Sequence, residues 1–187
     1  DDLARKDLQA RDSRMYPGQF VPVMIDLDGQ RTIVPMRYQC RLPGWTEAVE
    51  RKYPGTYNAR RDNLEKAWGK LFSYQHGVMV VERFYENVEQ DGKNVVLEFV
   101  PQNNEPMMVA CLWNRSTGPD GEDFFSFAAV TDDPPPEIAI AGHDRCIIPI
   151  KAENIDAWLN PEPGNIAAAY TVLDDRERPY YVYQVAA

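Results

Sequence analysis

Between Val78 and Thr131, runs rich in valine, methionine and phenylalanine alternate with turn chemistry, and this alternation constrains the fold more than any other feature. Val78–Tyr85, Val95–Val100, Met107–Trp113 and Phe124–Thr131 read as strands. Asp91-Gly92, the stretch 101–106 and the stretch 118–121 separate them. Upstream, Phe20–Ile25 and Thr32–Val34 flank Asp28-Gly29, a dipeptide that suits the positive φ angles of a tight hairpin. Downstream, Cys146–Ile150 and Tyr180–Val185 add two more strands. Helices are expected over 3–14 (or an extended arm there), 46–53, 62–75 and 152–159, with one turn over 137–141. In the helix over 62–75, Leu64, Ala67, Trp68 and Leu71 recur at helical spacing, and Asp62 or Asn63 is placed to cap it. The expected architecture is α+β: a single domain over residues 1–187, with a curved, mainly antiparallel, barrel-like sheet and flanking helices.

A chain of 187 residues can bury a sizeable core in one domain. No window approaches the roughly 18 apolar residues of a membrane helix. The opening residues Asp1-Asp2-Leu3-Ala4-Arg5-Lys6 are too charged for a signal peptide. Net charge is −9, spread unevenly: residues 1–83 carry 14 basic and 11 acidic side chains, and residues 84–187 carry 6 and 18. An acidic chain is a poor non-specific binder of nucleic acid, because phosphate attraction supplies most of that affinity. Any nucleic-acid contact is therefore expected on the basic first half.

Cys40, Cys111 and Cys146 are odd in number and widely spaced, which argues against a disulfide framework and for a reducing, cytoplasmic setting. With only His76 and His143 beside them, no zinc pattern forms, so neither a metal nor another cofactor is expected. His76 closes the expected helix over 62–75, where a partly charged imidazole would play a structural part.

Polar residues at the ends of apolar runs are the candidates for chemistry. His143 lies between a proline-rich loop and an apolar strand, a common seat for a catalytic group. Glu86 ends the run from Val78; beside Phe84 and Tyr85 its carboxyl would lose water and rise in pKa, as a general acid/base needs, although a surface glutamate fits the same position. Asn58 can orient a reacting group and Arg60 can grip phosphate, or the pair can form an Asx turn with an exposed arginine. Arg37, Tyr38 and Trp45 supply a cation and aromatic faces for stacking bases, or ordinary core packing.

Taken in order, these strings resemble one family. Tyr16-Pro17-Gly18-Gln19, Met36-Arg37-Tyr38 with Pro43-Gly44-Trp45, Asn58-Ala59-Arg60, Phe84-Tyr85-Glu86, Ala110-Cys111-Leu112-Trp113 with Val130-Thr131, His143-Asp144-Arg145 and Ile155–Leu159 are similar to the ordered motifs of the SRAP (SOS response-associated peptidase) family, over about Met15 to Leu159. The resemblance implies a monomeric DNA damage-response protein that binds single-stranded DNA at abasic sites. It further implies a covalent thiazolidine link through an N-terminal cysteine exposed by self-processing, with peptidase and lyase activity. Asn58 would position the cysteine or adduct, Glu86 would shuttle protons, and His143 would assist transfer at the sugar or the ring. Arg37, Arg60 and Arg145 would hold phosphates, and Tyr38 and Trp45 would stack on bases. Such chemistry needs a cysteine carrying a free α-amine, so a segment beginning Met-Cys is expected ahead of Asp1. Arg83 and Asn87 depart from the family's residues on either side of its Phe-Tyr-Glu string, and Cys146-Ile147 departs after Arg145. Two other readings fit the residues: a cysteine hydrolase using Cys146, His143 and Asn58, and a non-enzymatic single-strand binding module.

Overall fold

Asp28 (φ 54°) and Gly29 (φ 81°) take the paired positive φ angles of a tight hairpin turn, and Gly29 N–H donates to Asp26 Oδ1 at 2.8 Å. In the computed structural model, which describes residues 14–186, this turn joins β1 (Phe20–Leu27) to β2 (Gln30–Tyr38) in full antiparallel register. The remaining strands are β3 (Asn58–Arg60), β4 (His76–Val81), β5 (Phe84–Gln90), β6 (Lys93–Pro101), β7 (Met107–Thr117), β8 (Asp123–Asp132), β9 (Cys146–Ile147) and β10 (Tyr181–Val185). The helices are α1 (Glu47–Lys52), α2 (Gly69–Phe72), α3 (Pro136–Ile140), α4 (Ile155–Leu159) and α5 (Ile166–Asp174).

The sheet order β2-β1-β4-β7-β8 closes on itself, because β2 also pairs with β8. That closing pair is parallel (Arg37↔Ser126, Tyr38↔Phe127), whereas the other four contacts are antiparallel. The result is a five-stranded barrel, and closure removes the exposed edges of an open sheet. A second sheet, β10-β6-β5, stands beside it. The barrel-like α+β architecture read from the strand pattern is the architecture observed.

Strand alternation divides the apolar residues between two cores. Val21, Val23, Ile25, Met36, Met79, Val109, Cys111, Phe127 and Ala129 fill the barrel, and Val88, Leu97, Phe99 and Tyr181 of the second sheet pack against the same cluster. The opposite faces of β4, β7 and β8 present Val78, Ala110, Leu112, Ala128 and Val130 to a layer built from α2, α4 and α5, centred on Phe72, Trp158 and Leu173. His76 is held in this outer layer, its ring stacked on Trp158 at 3.9 Å between centroids.

Several expectations need correction. The strand read over Val78–Tyr85 is two strands in two sheets: β4 ends at Val81, the chain bends at Glu82-Arg83, and β5 pairs only with β6. The helix read over 62–75 is a one-turn 3-10 helix (Arg61–Asn63), a turn, and α2, whose N-cap is Trp68 with no side-chain bond, so neither Asp62 nor Asn63 caps it. Gly69 weakens any continuous helix there, and Leu64, Trp68 and Leu71 bury equally well from two short turns. His76 is not a charged helix terminus but the first residue of β4, and burial lowers its pKa to about 4. The strand over Cys146–Ile150 shortens to β9 plus isolated bridges at Pro149 and Ile150. Two elements were not anticipated: β3, and α5, which Asn165 caps by accepting from Ala168 N–H at 3.2 Å. The helix or arm read over 3–14 lies outside the described residues apart from Arg14.

Candidate functional site

β3 lies parallel to β8 with Asn58↔Ala129, Ala59↔Val130 and Arg60↔Thr131 in register. Partners in a ladder share a face. Ala59 and Val130 bury into the outer helical core, so Asn58 and Arg60 lie on the opposite face with Ala129, which belongs to the barrel cluster. One step back along the same edge of β8, Tyr38 is in register with Phe127 and stacks on it at 5.1 Å. Tyr38, Asn58 and Arg60 therefore follow one another along one side of β8.

The other half of the site arrives from β5 and from the turn after α3. Gly142 takes φ +100°, a conformation that ends α3, and its N–H donates to Ala139 O at 3.0 Å. The turn lies against β5: a Cβ on Gly142 would stand 3.7 Å from Val88 Cβ. Two residues before Val88, Glu86 meets the next residue of the turn, with Glu86 Oε2 3.1 Å from His143 Nε2. His143 Nδ1 is 3.0 Å from Arg145 O. Nδ1 also accepts from Arg145 N–H at 3.3 Å in the neutral ring, so the contact that calls for a proton is Nε2 on Glu86. Consistently, the His143 pKa is raised, chiefly by its hydrogen bond to Glu86 and against the effect of partial burial. Glu86 also lies close enough to Tyr38 and Cys146 to act electrostatically on both. Burial pushes the Tyr38 phenol well above its ordinary range, so it is a neutral wall of the site.

Arg60 and Arg145 stand at the lip. Arg145 Nε is 3.2 Å from Asp144 Oδ1, and Asp144 in turn feels both His143 and Arg60. Arg37 and Trp45 are elsewhere. Arg37 alternates with Tyr38 along β2, and its guanidinium is engaged by Glu50 and packs 4.8 Å from the Phe124 ring. Trp45 packs against the outer helical core and Tyr53. The structure thus brings Tyr38, Asn58, Arg60, Glu86, His143 and Arg145 to one mouth of the barrel and leaves Arg37 and Trp45 away from it.

Two residues of this mouth carried no role in the sequence reading. Thr131, in register with Arg60, is 2% exposed and its hydroxyl has no hydrogen-bond partner among the described residues. Tyr57 is 37% exposed and meets Tyr38 edge-on at 6.3 Å. Tyr57 was signalled only by its position next to Asn58, and Thr131 only by its place in the Val130-Thr131 string.

None of the three cysteines serves as a nucleophile here. All are free and buried, and burial pushes Cys40 and Cys146 up to about 12 and raises Cys111 as well. The hydrolase pairing of Cys146 with His143 is corrected on the same ground: His143 spends both nitrogens on Glu86 and Arg145, and the Cys146 thiol is buried with its pKa pushed up to about 12. Among the described residues no group of three or more His, Cys, Asp or Glu side chains could hold a metal ion, and no helix is long and apolar enough to cross a membrane.

The profile of the family described as SOS response associated peptidase (SRAP) matches residues 3–187. The chain belongs to the SRAP family. Membership carries a DNA damage-associated function and is consistent with peptidase-like or crosslinking activity. No curated protein sequence matches the chain significantly. Among solved structures, a protein from Bordetella bronchiseptica is similar at TM-score 0.76 and 20% identity, over 92% of this chain and 86% of that one. A protein from Bacteroides thetaiotaomicron is similar at TM-score 0.69 and 14% identity, over 91% and 82% of the two chains. A phage-related protein from Bordetella bronchiseptica is similar at TM-score 0.69 and 18% identity, over 92% and 80%. At these identities the likeness shows that the SRAP-like fold is shared.

Proposed function

We propose that this SRAP protein binds single-stranded DNA at abasic sites and captures the ring-opened aldehyde covalently. The observation that carries the reading is the Glu86–His143 couple, 3.1 Å apart at a barrel mouth that also receives Asn58. Capture by a terminal cysteine needs a proton removed from the attacking amine, a proton delivered to the departing hydroxyl, and a thiolate to close the thiazolidine ring. A carboxylate hydrogen-bonded to an imidazole of raised pKa supplies both directions of transfer from one pair. The Asn58 amide, held on a short strand, is suited to orient the incoming amine. With Cys40, Cys111 and Cys146 all buried, the nucleophile of this reading is a cysteine ahead of Asp1, freed by removal of Met.

The phosphate contacts fall to Arg60 and Arg145, and Tyr57 offers the exposed aromatic face that Tyr38 lacks. We place the protein in the cytoplasm as a monomer. The test is a denaturing gel of the protein carrying a Met-Cys start, mixed with single-stranded DNA containing one abasic site, beside the 187-residue chain. A retarded band for the Met-Cys protein, absent from the chain beginning at Asp1 and lost in His143→Ala, is the expected result. No retarded band from either protein would sink the covalent reading and leave a single-strand binding module.

A further inference from the structure

Neither guanidinium at the lip meets solvent alone. Arg60 Nε lies 3.1 Å from Asp62 Oδ2, and Arg60 Nη2 lies 3.2 Å from Asp133 Oδ1. Asp144 holds Arg145 and adds its own field at Arg60. The three carboxylates come from three segments: the 3-10 turn after β3, the residue just past β8 and the turn after α3. Convergence of three such segments on two arginines is a product of the tertiary fold. The carboxylates are well exposed, with Asp133 at 82% and Asp62 at 66%, while Arg60 keeps 39%. Exposed pairs of this kind hold weakly in water and exchange partners readily.

Resting on the single-strand DNA reading above, we propose that Asp62 and Asp133 form a carboxylate gate on Arg60, occupying the guanidinium in place of a backbone phosphate. A strand gains the Arg60 contact only by displacing the carboxylates, and it then leaves them beside its own phosphate. The gate weakens reversible binding of every strand alike, damaged or not. Undamaged DNA therefore leaves quickly, and covalent capture at the lesion becomes the step that discriminates. Arg60 is a binding residue under this proposal, and Asp62 and Asp133 set selectivity through it.

The test uses fluorescence anisotropy of a labelled, undamaged single-stranded oligonucleotide over a range of salt. The proteins are the full chain, Asp133→Asn, Asp62→Asn/Asp133→Asn, each variant with Arg60→Ala added, and Glu153→Gln, on the 3-10 turn before α4 beside Lys151, as a charge control. The gate predicts several-fold tighter binding by the asparagine variants. It also predicts a log–log salt slope steeper by about 0.7, the value for one more phosphate contact on a single strand. Both gains disappear when Arg60 is removed. Unchanged affinity in the asparagine variants, or a gain that survives Arg60→Ala or is matched by Glu153→Gln, overturns the gate. Phenylglyoxal modification of Arg60, read by peptide mass, tests it without DNA: faster modification in Asp133→Asn is expected, and an unchanged rate overturns it. If no protein binds the oligonucleotide, the strand-binding reading falls and takes the gate's purpose with it, whatever the modification rates show.

Discussion

His143 and His76 show what surroundings do to one side-chain type. His143 faces a carboxylate and a carbonyl, and its pKa is raised. His76 is buried between Phe72 and Trp158; its nitrogens face the carbonyls of those residues at 2.7 and 2.8 Å, yet burial outweighs both and lowers its pKa to about 4. The stability consequences have opposite signs. The His143 contribution is fully present below its unfolded pKa, about 6.5, and is lost as pH rises through the raised folded value. Glu86→Gln should remove that contribution, shift the His143 NMR titration midpoint downward and slow abasic-site capture by about 10²–10⁴. An unmoved midpoint would show that Glu86 does not hold the proton. For His76 the unfolded chain binds the extra proton, so stability should fall as pH drops from about 6.5 towards 4. Urea midpoints across that window for the wild type and His76→Phe check this, since the variant should lose less on acidification.

At the scale of elements, the segment between β2 and β3 is fastened by one carboxylate. Glu50, buried on α1, binds both Arg37 and Arg41, and the two guanidiniums each pack 4.8 Å from Phe124. Arg41 N–H donates to Ser126 Oγ at 3.0 Å, and its Nη1 donates to Thr117 O at 3.3 Å, which ties the segment to the β7–β8 hairpin. This is why Arg37 stands away from the mouth: its charge is spent holding the crossover that delivers Asn58 and Arg60 to β8. Glu50→Gln should cost about 3–5 kcal/mol, because it leaves buried guanidinium charge uncompensated. Denaturant titration reads that loss. The double variant Arg41→Met/Glu50→Leu should be less destabilised than the single one, and equal loss in both would argue against a charge origin.

For the molecule as a whole, closure of the barrel depends on close approach at β4. A Cβ on Gly77 would stand 2.9 Å from Val23 Cγ1 and 3.2 Å from Met24 O, so β1 and β4 could not keep their present separation. On the same residue the outer core is anchored, since Trp158 Nε1 donates to Gly77 O at 2.9 Å. Gly77→Ala should therefore destabilise the whole fold by about 1–3 kcal/mol through overpacking. Thermal unfolding should show one lowered transition if barrel and helical layer unfold together, and two separated transitions would refute that coupling.

The strand runs, the Asp28-Gly29 and Asp91-Gly92 turns and the short helix at Glu47–Lys52 were legible because period and turn chemistry are local properties of a chain. So was the set of polar residues at the mouth, through their seats at the ends of apolar runs. Pairing was not legible. β3 is a strand only because β8 offers it an edge, and Val78–Tyr85 reads as one run although its two halves join different sheets. The helical spacing of Leu64, Trp68 and Leu71 indicated which residues face the core but not that Gly69 begins a separate helix. The same division runs through the site. Sequence supplied Asn58, Arg60, Glu86, His143 and Arg145 as candidates, and the family resemblance supplied their chemistry. The raised pKa of His143, the engagement of Arg37 by Glu50, the buried hydroxyl of Thr131 and the carboxylates on Arg60 depend on which non-local groups come within a few ångströms, and only the closed barrel decides that.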